Sequence, residues 1–198
     1  MEKIKKTFLL FSLITISIYF YSCSASVQLT SWKDPNSAGV KFSKIMVIAV
    51  VKDLAYKKAY EYETVKSLKE AGVNAVPSME VFSPNKDYTE KEMIDIVNKN
   101  NINGVLTLKY TGTKIQKIVY GGMSYYQYYY DGESVLTSPS YVEQHKIANV
   151  ECSLFSTSSG NAVWIAETKT SNYVSLKDLA SSLADNVTAD MVNEKIIP

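Results

Sequence analysis

Residues 45–51 read Ile45-Met46-Val47-Ile48-Ala49-Val50-Val51, seven consecutive apolar side chains, five of them β-branched. So short and β-branched a run predicts a strand buried on both faces of a sheet, with helices covering it. The neighbouring segments bear this out as a pattern. Over residues 54–71 the apolar positions Ala55, Ala59, Tyr62, Val65 and Leu68 recur every three or four residues, predicting an amphipathic helix with Gly72 as its C-terminal cap. A short strand is expected over 73–76. Thr89-Glu90-Lys91-Glu92 has the capping-box spacing and opens a second helix to Asn100, with Met93, Ile94 and Val97 facing inward.

The C-terminal half reads differently. Residues 104–110 begin a third strand, with room to continue to Val119. Ala148, Val150, Cys152 and Leu154 alternate with Asn149, Glu151 and Ser153, the signature of a half-buried strand. Ser159-Gly160-Asn161 turns it into another strand over 163–170. Ser175 can cap a last helix whose stripe is Leu176, Leu179, Leu183, Val187 and Met191. The expected architecture is a single α/β sandwich on a mixed sheet, in the order β-α-β-α-β-β-β-α. Ahead of it, residues 27–30 could add a short edge strand before the turn-rich Ser31-Trp32-Lys33-Asp34-Pro35-Asn36.

The start of the chain concerns location. Met1 to Lys6 is basic, and residues 7–22 are apolar and uncharged, ending in Ser22-Cys23-Ser24-Ala25-Ser26. Sixteen residues fall short of the ~20 needed to span a bilayer. Small residues at its end suit a signal peptidase. The arrangement resembles the lipobox of bacterial lipoproteins: Ser22 matches the small residue before the cysteine, while Phe20 and Tyr21 match loosely. That resemblance implies diacylglyceryl transfer to Cys23, cleavage before it and acylation of the new amino group. Two or more acyl chains hold a protein stably on a membrane where one does not. The alternatives are a secretory peptide cut near Ala25 or Ser26 and a retained signal anchor. The expected division is a signal peptide at 1–22, a lipidated tether at 23–43 and an α/β domain at 44–198. A periplasm-facing location on the inner or outer membrane follows.

Charge narrows the function. Taking the three lysines and one glutamate of residues 1–22 from the chain's 21 basic and 20 acidic residues leaves 18 and 19. So neutral a domain has no electrostatic pull toward nucleic acid. Arginine, the bidentate clamp for phosphate and guanine, does not occur in the chain. Neither a phosphate-binding glycine loop nor a nucleophile elbow is present. His145, the single histidine, is expected on the outward face of its strand with Asn149 and Glu151. Cys152 is expected in the core as a small apolar residue. Glu61, Glu63, Lys66 and Glu70 read as a solvated helix face. No catalytic residue, metal site or cofactor is expected.

One local feature stands out. Six of the 15 tyrosines, Tyr120, Tyr125, Tyr126, Tyr128, Tyr129 and Tyr130, fall within 11 residues of an insertion spanning 120–140. Tyrosine offers large contact area with a polar tip at low entropy cost, which suits partner contact. The plainer reading is a low-complexity insertion whose rings pack on the sheet or on one another.

With the lipobox, several segments carry a wider resemblance. They are Ser31-Trp32-Lys33-Asp34-Pro35, the strand 44–51 with Lys52-Asp53 after it, residues 71–78, and Ser159-Gly160-Asn161-Ala162-Val163-Trp164. The chain resembles a family of small bacterial lipoproteins whose domain is similar to the amino-terminal domain of the TolB translocation protein and to the α/β core of the curli-secretion lipoprotein. The resemblance implies an envelope location and an α/β fold, and no catalytic residues. It leads to a lipid-anchored, non-catalytic envelope protein that binds another envelope component, with a subunit of an oligomeric envelope assembly as the alternative and an enzyme as a remote third.

Overall fold

The computed structural model describes residues 25–37, 39–83, 85–120 and 141–198, with only the backbone of 118–120 and 141–143. The strands are β1 (Ser26–Lys33), β2 (Ile45–Val50), β3 (Ala75–Pro77), β4 (Gly104–Tyr120), β5 (Tyr141–Ser156) and β6 (Ala162–Ser171). The helices are α1 (Leu54–Glu70), α2 (Ser78–Val81), α3 (Glu90–Lys99) and α4 (Leu176–Asn193), with a short 3-10 turn at Pro35–Ser37. The strands form one open mixed sheet in the order β1-β6-β5-β4-β2-β3. β2 runs parallel to β3 and β4; the other pairings are antiparallel. This is the expected α/β fold. The segment expected as a tether contributes a full eight-residue edge strand, and turn geometry begins only at Asp34.

One face of the sheet carries the core. Ile45, Val47, Ala49, Leu106, Leu108, Val150, Cys152, Leu154, Trp164 and Ala166 point to it and pack with Tyr60, Val65 and Leu68 of α1 and Leu179, Leu183, Val187 and Met191 of α4. The α4 stripe is buried as its spacing predicts, save the half-exposed Leu176. Trp164, fully buried, donates its indole N–H to Asp190 at 2.9 Å, so its one polar atom is met. Gly104 sits where an added Cβ would lie 2.5 Å from the Phe42 ring, which explains a glycine at the start of β4.

The helix expectations need two corrections. In α1 the inward residues are Tyr60, Glu61, Thr64, Val65, Ser67 and Leu68, while Tyr62 is 41% exposed. The stripe is rotated because α1 rests on β2 and β3 on one side and on α4 on the other. α3 has its capping box as expected, with Thr89 and Glu92 bonded reciprocally. Its apolar face, however, is not covered: α3 buries no residue, and Met93 and Ile94 are 42% and 52% exposed. Right-handed crossovers from β2 to β3 and back across β2 to β4 place α1 and α3 on opposite faces of the sheet. α3 thus lies alone on its face, where α1 has α4 beside it. Met46, pointing to that second face, is still buried.

Glu61 is a third correction, since it is fully buried rather than solvated. β3 ends at Pro77, opposite Val47, so the groups of Ala49 that would face a longer β3 lose their strand partner. Glu61 Oε1 accepts from Ala49 N at 3.0 Å, and Lys57 Nζ donates to Ala49 O at 2.9 Å. Lys57 also pairs with Glu61 at 2.8 Å. Ser78 Oγ donates to Glu61 Oε1 at 2.7 Å and Met79 N to Oε2 at 3.0 Å. Four donors from three elements, Ala49 N, Lys57 Nζ, Ser78 Oγ and Met79 N, therefore meet on one carboxylate. Losing one partner of a buried pair costs about 3–5 kcal/mol because the rest stay desolvated. Glu61→Ala should lower the unfolding free energy by about that amount in urea titration, whereas Glu70→Ala on the exposed side should stay within about 0.5 kcal/mol.

Candidate functional site

Three regions of the fold present chemistry to solvent, and each has a different origin in the sequence. The first is the β4–β5 hairpin. β4 leaves β2 at Lys109, and β5 leaves β6 at Ala148. Beyond those points only β4 and β5 pair, from Lys114↔Ile147 to Tyr120↔Tyr141. A register shift between Tyr110 and Gly112 marks where the ribbon departs. At about 3.3 Å per residue these seven pairs carry the chain roughly 23 Å from the supported sheet. Ile115 on this ribbon is 59% exposed, and Lys114, Lys117 and Lys146 are exposed beside it. Tyr120 closes β4 at the far end. Tyr125, Tyr126, Tyr128, Tyr129 and Tyr130, like Cys23, lie outside the described residues.

The second region is the sheet face opposite the core. Trp32 and Ile165 are direct partners across β1 and β6, 52% and 42% exposed. They line a shallow groove of about 440 Å³ with Thr30, Ser153, Glu151 and Glu167. Glu151 and Glu167 face each other across β5 and β6, and Lys109 reaches Glu151 at 2.9 Å. The sequence placed Trp32 in a turn. Its signal was the alternation Val27, Leu29, Ser31, which continues through Lys33 and leaves Trp32 on the other, otherwise polar face.

The third is the crevice outside the carboxyl end of β2, beside residues 109–112 where β4 leaves it, at the point where an α/β sheet reverses its strand order and usually binds ligands. It holds about 880 Å³ and is lined by Val50, Val51, Lys52, Asp53, Lys57, Lys109 and Tyr110. Most of its charged groups already serve the fold. Asp53 caps α1 by accepting from Ala55 N at 2.8 Å and Tyr56 N at 3.1 Å. Lys57 is held by Glu61 and Ala49, and Lys109 by Glu151. Tyr110 stacks near Tyr56, ring centres 6.0 Å apart, and Tyr56 near Tyr60 at 6.3 Å. Desolvation, then the neighbouring phenols, pushes the Tyr60 hydroxyl well above its ordinary value, and Tyr56 moves the same way. Tyr60 and Tyr56 therefore stay protonated at physiological pH.

The two residues weighed for chemistry fall in ordinary places. His145 is half-buried on the outward face of β5, its Nδ1 3.2 Å from Asn172 Oδ1. Cys152 is buried between β4 and β6, and burial pushes its thiol up to about 12. Among the described residues, no three His, Cys, Asp or Glu side chains are grouped to hold a metal ion. Nor is any described helix long and apolar enough to cross a membrane.

No protein-family model matches the sequence, and no curated protein sequence matches it. Solved structures do resemble it. The PelC dodecamer from Paraburkholderia phytofirmans aligns over 82% of this chain and 94% of its own, with a TM-score of 0.50 at 15% identity. At that identity the likeness establishes the fold. Lipoprotein GNA1162 from Neisseria meningitidis aligns over 76% of this chain and 99% of its own, at TM-score 0.43 and 15% identity. A minor lipoprotein from Acinetobacter baumannii follows over 75% and 94%, at 0.35 and 12%.

The thiol of Cys152 gives a direct test of the core. A polar thiol reagent at pH 8 should leave the folded protein unlabelled there, because both access and thiolate are missing, and should label it fully in denaturant. Rapid labelling of the native protein would place β5 in a different register.

Proposed function

We propose that this chain is a lipid-anchored envelope protein, held by acyl chains at Cys23, whose α/β domain binds another envelope component without catalysis. The observation that carries the binding role is the β4–β5 ribbon. A two-stranded ribbon standing off its sheet is marginal by itself, and this one ends in a segment with five further tyrosines. Such a projection adds little to the domain's own stability, and contact with something outside the domain gives it a use. The anchor is supported by the lipobox-like Ser22-Cys23 after an apolar run too short to span a bilayer.

A second reading, a subunit of an oligomeric envelope assembly, is favoured by the dodecameric state of the PelC structure with the same fold. Both readings place the work at surfaces rather than in a pocket.

Two measurements test the first reading. In cells grown with labelled palmitate, wild-type protein should take up label and Cys23→Ala should not; label retained by the variant refutes the anchor. Replacing residues 121–140 by an Asn-Gly turn should leave the melting temperature within a few degrees and remove the major crosslinked partner seen with wild type. The same partners in both would show that the ribbon tip has no docking role.

A further inference from the structure

We propose that the outer edge of β1 pairs antiparallel with β1 of a second copy of this chain, joining two six-stranded sheets across a twofold axis. This deepens the self-association reading and names its surface. Asp34 N donates to Val163 O at 3.0 Å, one step beyond the Lys33↔Trp164 pair. Hydrogen-bonded pairs alternate along an antiparallel ladder, so Trp32, Thr30, Gln28 and Ser26 address β6. Val27, Leu29, Ser31 and Lys33 turn their N–H and C=O groups outward. Among the described residues none hydrogen-bonds to that outward row.

The edge lacks the features that normally keep edges apart. β1 is eight residues long, contains no proline, and has one charge, Lys33. That ammonium donates to the Glu194 carbonyl, which draws it toward the end of α4 and off the edge. The opposite edge is closed. β3 has three residues ending in Pro77, and Lys57 and Glu61 occupy the position a longer β3 would take. A head-to-tail chain of β1 on β3 therefore has no second surface. Of the two edges of the core sheet β1 is the open one, and a single edge used by both partners gives a closed dimer.

The strand complements itself. With Leu29 opposite Leu29 of the second copy, Val27 meets Ser31, Gln28 meets Thr30, Ser26 meets Trp32 and Ala25 meets Lys33. No like charges face each other. The dyad of an antiparallel pair runs normal to the sheet, so both chain starts lie at one height. Two anchors at Cys23, on the proposed function above, are compatible with one membrane plane in that geometry. A strand from another protein could use the same hydrogen bonds, but it would not need this self-matching register.

The test uses the full-length lipidated protein in detergent. Wild type should have twice the chain mass by light scattering. Gln28→Cys copies mixed with Thr30→Cys copies should form a heterodimeric disulfide on oxidation, since that pair would sit about 4.5 Å apart at Cα. Ser26→Cys copies should not crosslink with one another. Ser31→Pro removes an outward N–H that the fold does not use; it should keep the melting temperature within a few degrees and halve the mass. A monomeric wild type would overturn both this proposal and self-association. An assembly that persists in Ser31→Pro, or a disulfide that forms only with a different protein, would overturn the β1 pairing alone.

Discussion

The paired Lys57 and Glu61 side chains let this sheet end where it does. β2 needs a neighbour on each side over its whole length, and β3 supplies one only as far as Pro77. Proline stops the ladder, and Ser78 immediately opens α2. Without a substitute, Ala49 would bury an unmet N–H and C=O, at about 1–3 kcal/mol for each unsatisfied group. One turn of α1 places an ammonium on the carbonyl and a carboxylate on the amide. The same carboxylate accepts from Ser78 and Met79, so it also fixes how the chain turns after β3. The register of α1 on β2, and through α1 the position of α4, follows from this contact.

That arrangement leaves the two faces of the sheet unequal. α1 and α4 together cover the face bearing Leu106, Cys152 and Trp164. The other face has one long helix, and right-handed connections keep α3 over β2 and away from β5, β6 and β1. Trp32 and Ile165 remain in water because no element of the described chain returns to that side. Apolar side chains scattered singly on a surface mean little, but a tryptophan with a directly paired isoleucine on an uncovered sheet is the composition of a contact surface. The charged groups around the carboxyl-end crevice, by contrast, are mostly committed to capping, ladder closure or a cross-strand pair.

Local pattern was legible and lateral context was not. The apolar run at 45–51, the Thr89–Glu92 capping box and the 148–154 alternation each report on the backbone of one segment, and each appears at its place. The burial of Cys152 follows from the same alternation. Met93 and Ile94 mislead because periodicity defines an apolar face without saying whether a second helix lies beside it. Glu61 misleads for a related reason. Spacing from lysines resembles a solvated face, and only the early end of β3, set by Pro77, makes that position an interior one. Trp32 was hidden by the turn formers after it. Asp34-Pro35-Asn36 dominates a short window, although the strand runs on to Lys33.

The ribbon and the β1 edge lie at different ends of the same economy of hydrogen bonding. Beyond Gly112 the long strands β4 and β5 bond only to each other, along their inner rows, so the domain's stability rests on the part of the sheet that α1 and α4 cover. Changes in the ribbon should therefore act on recognition more than on folding. β1 is the reverse case. Its inner row closes on β6, its Leu29 side chain packs partly against the core, and its outer row is unmet among the described residues. Backbone groups that the fold leaves unpaired on an ordered strand are already fixed in direction, so a partner strand pays little ordering entropy to meet them. Of the surfaces this chain exposes, β1 is thus the one preorganised for pairing, and the ribbon is the one positioned for reach.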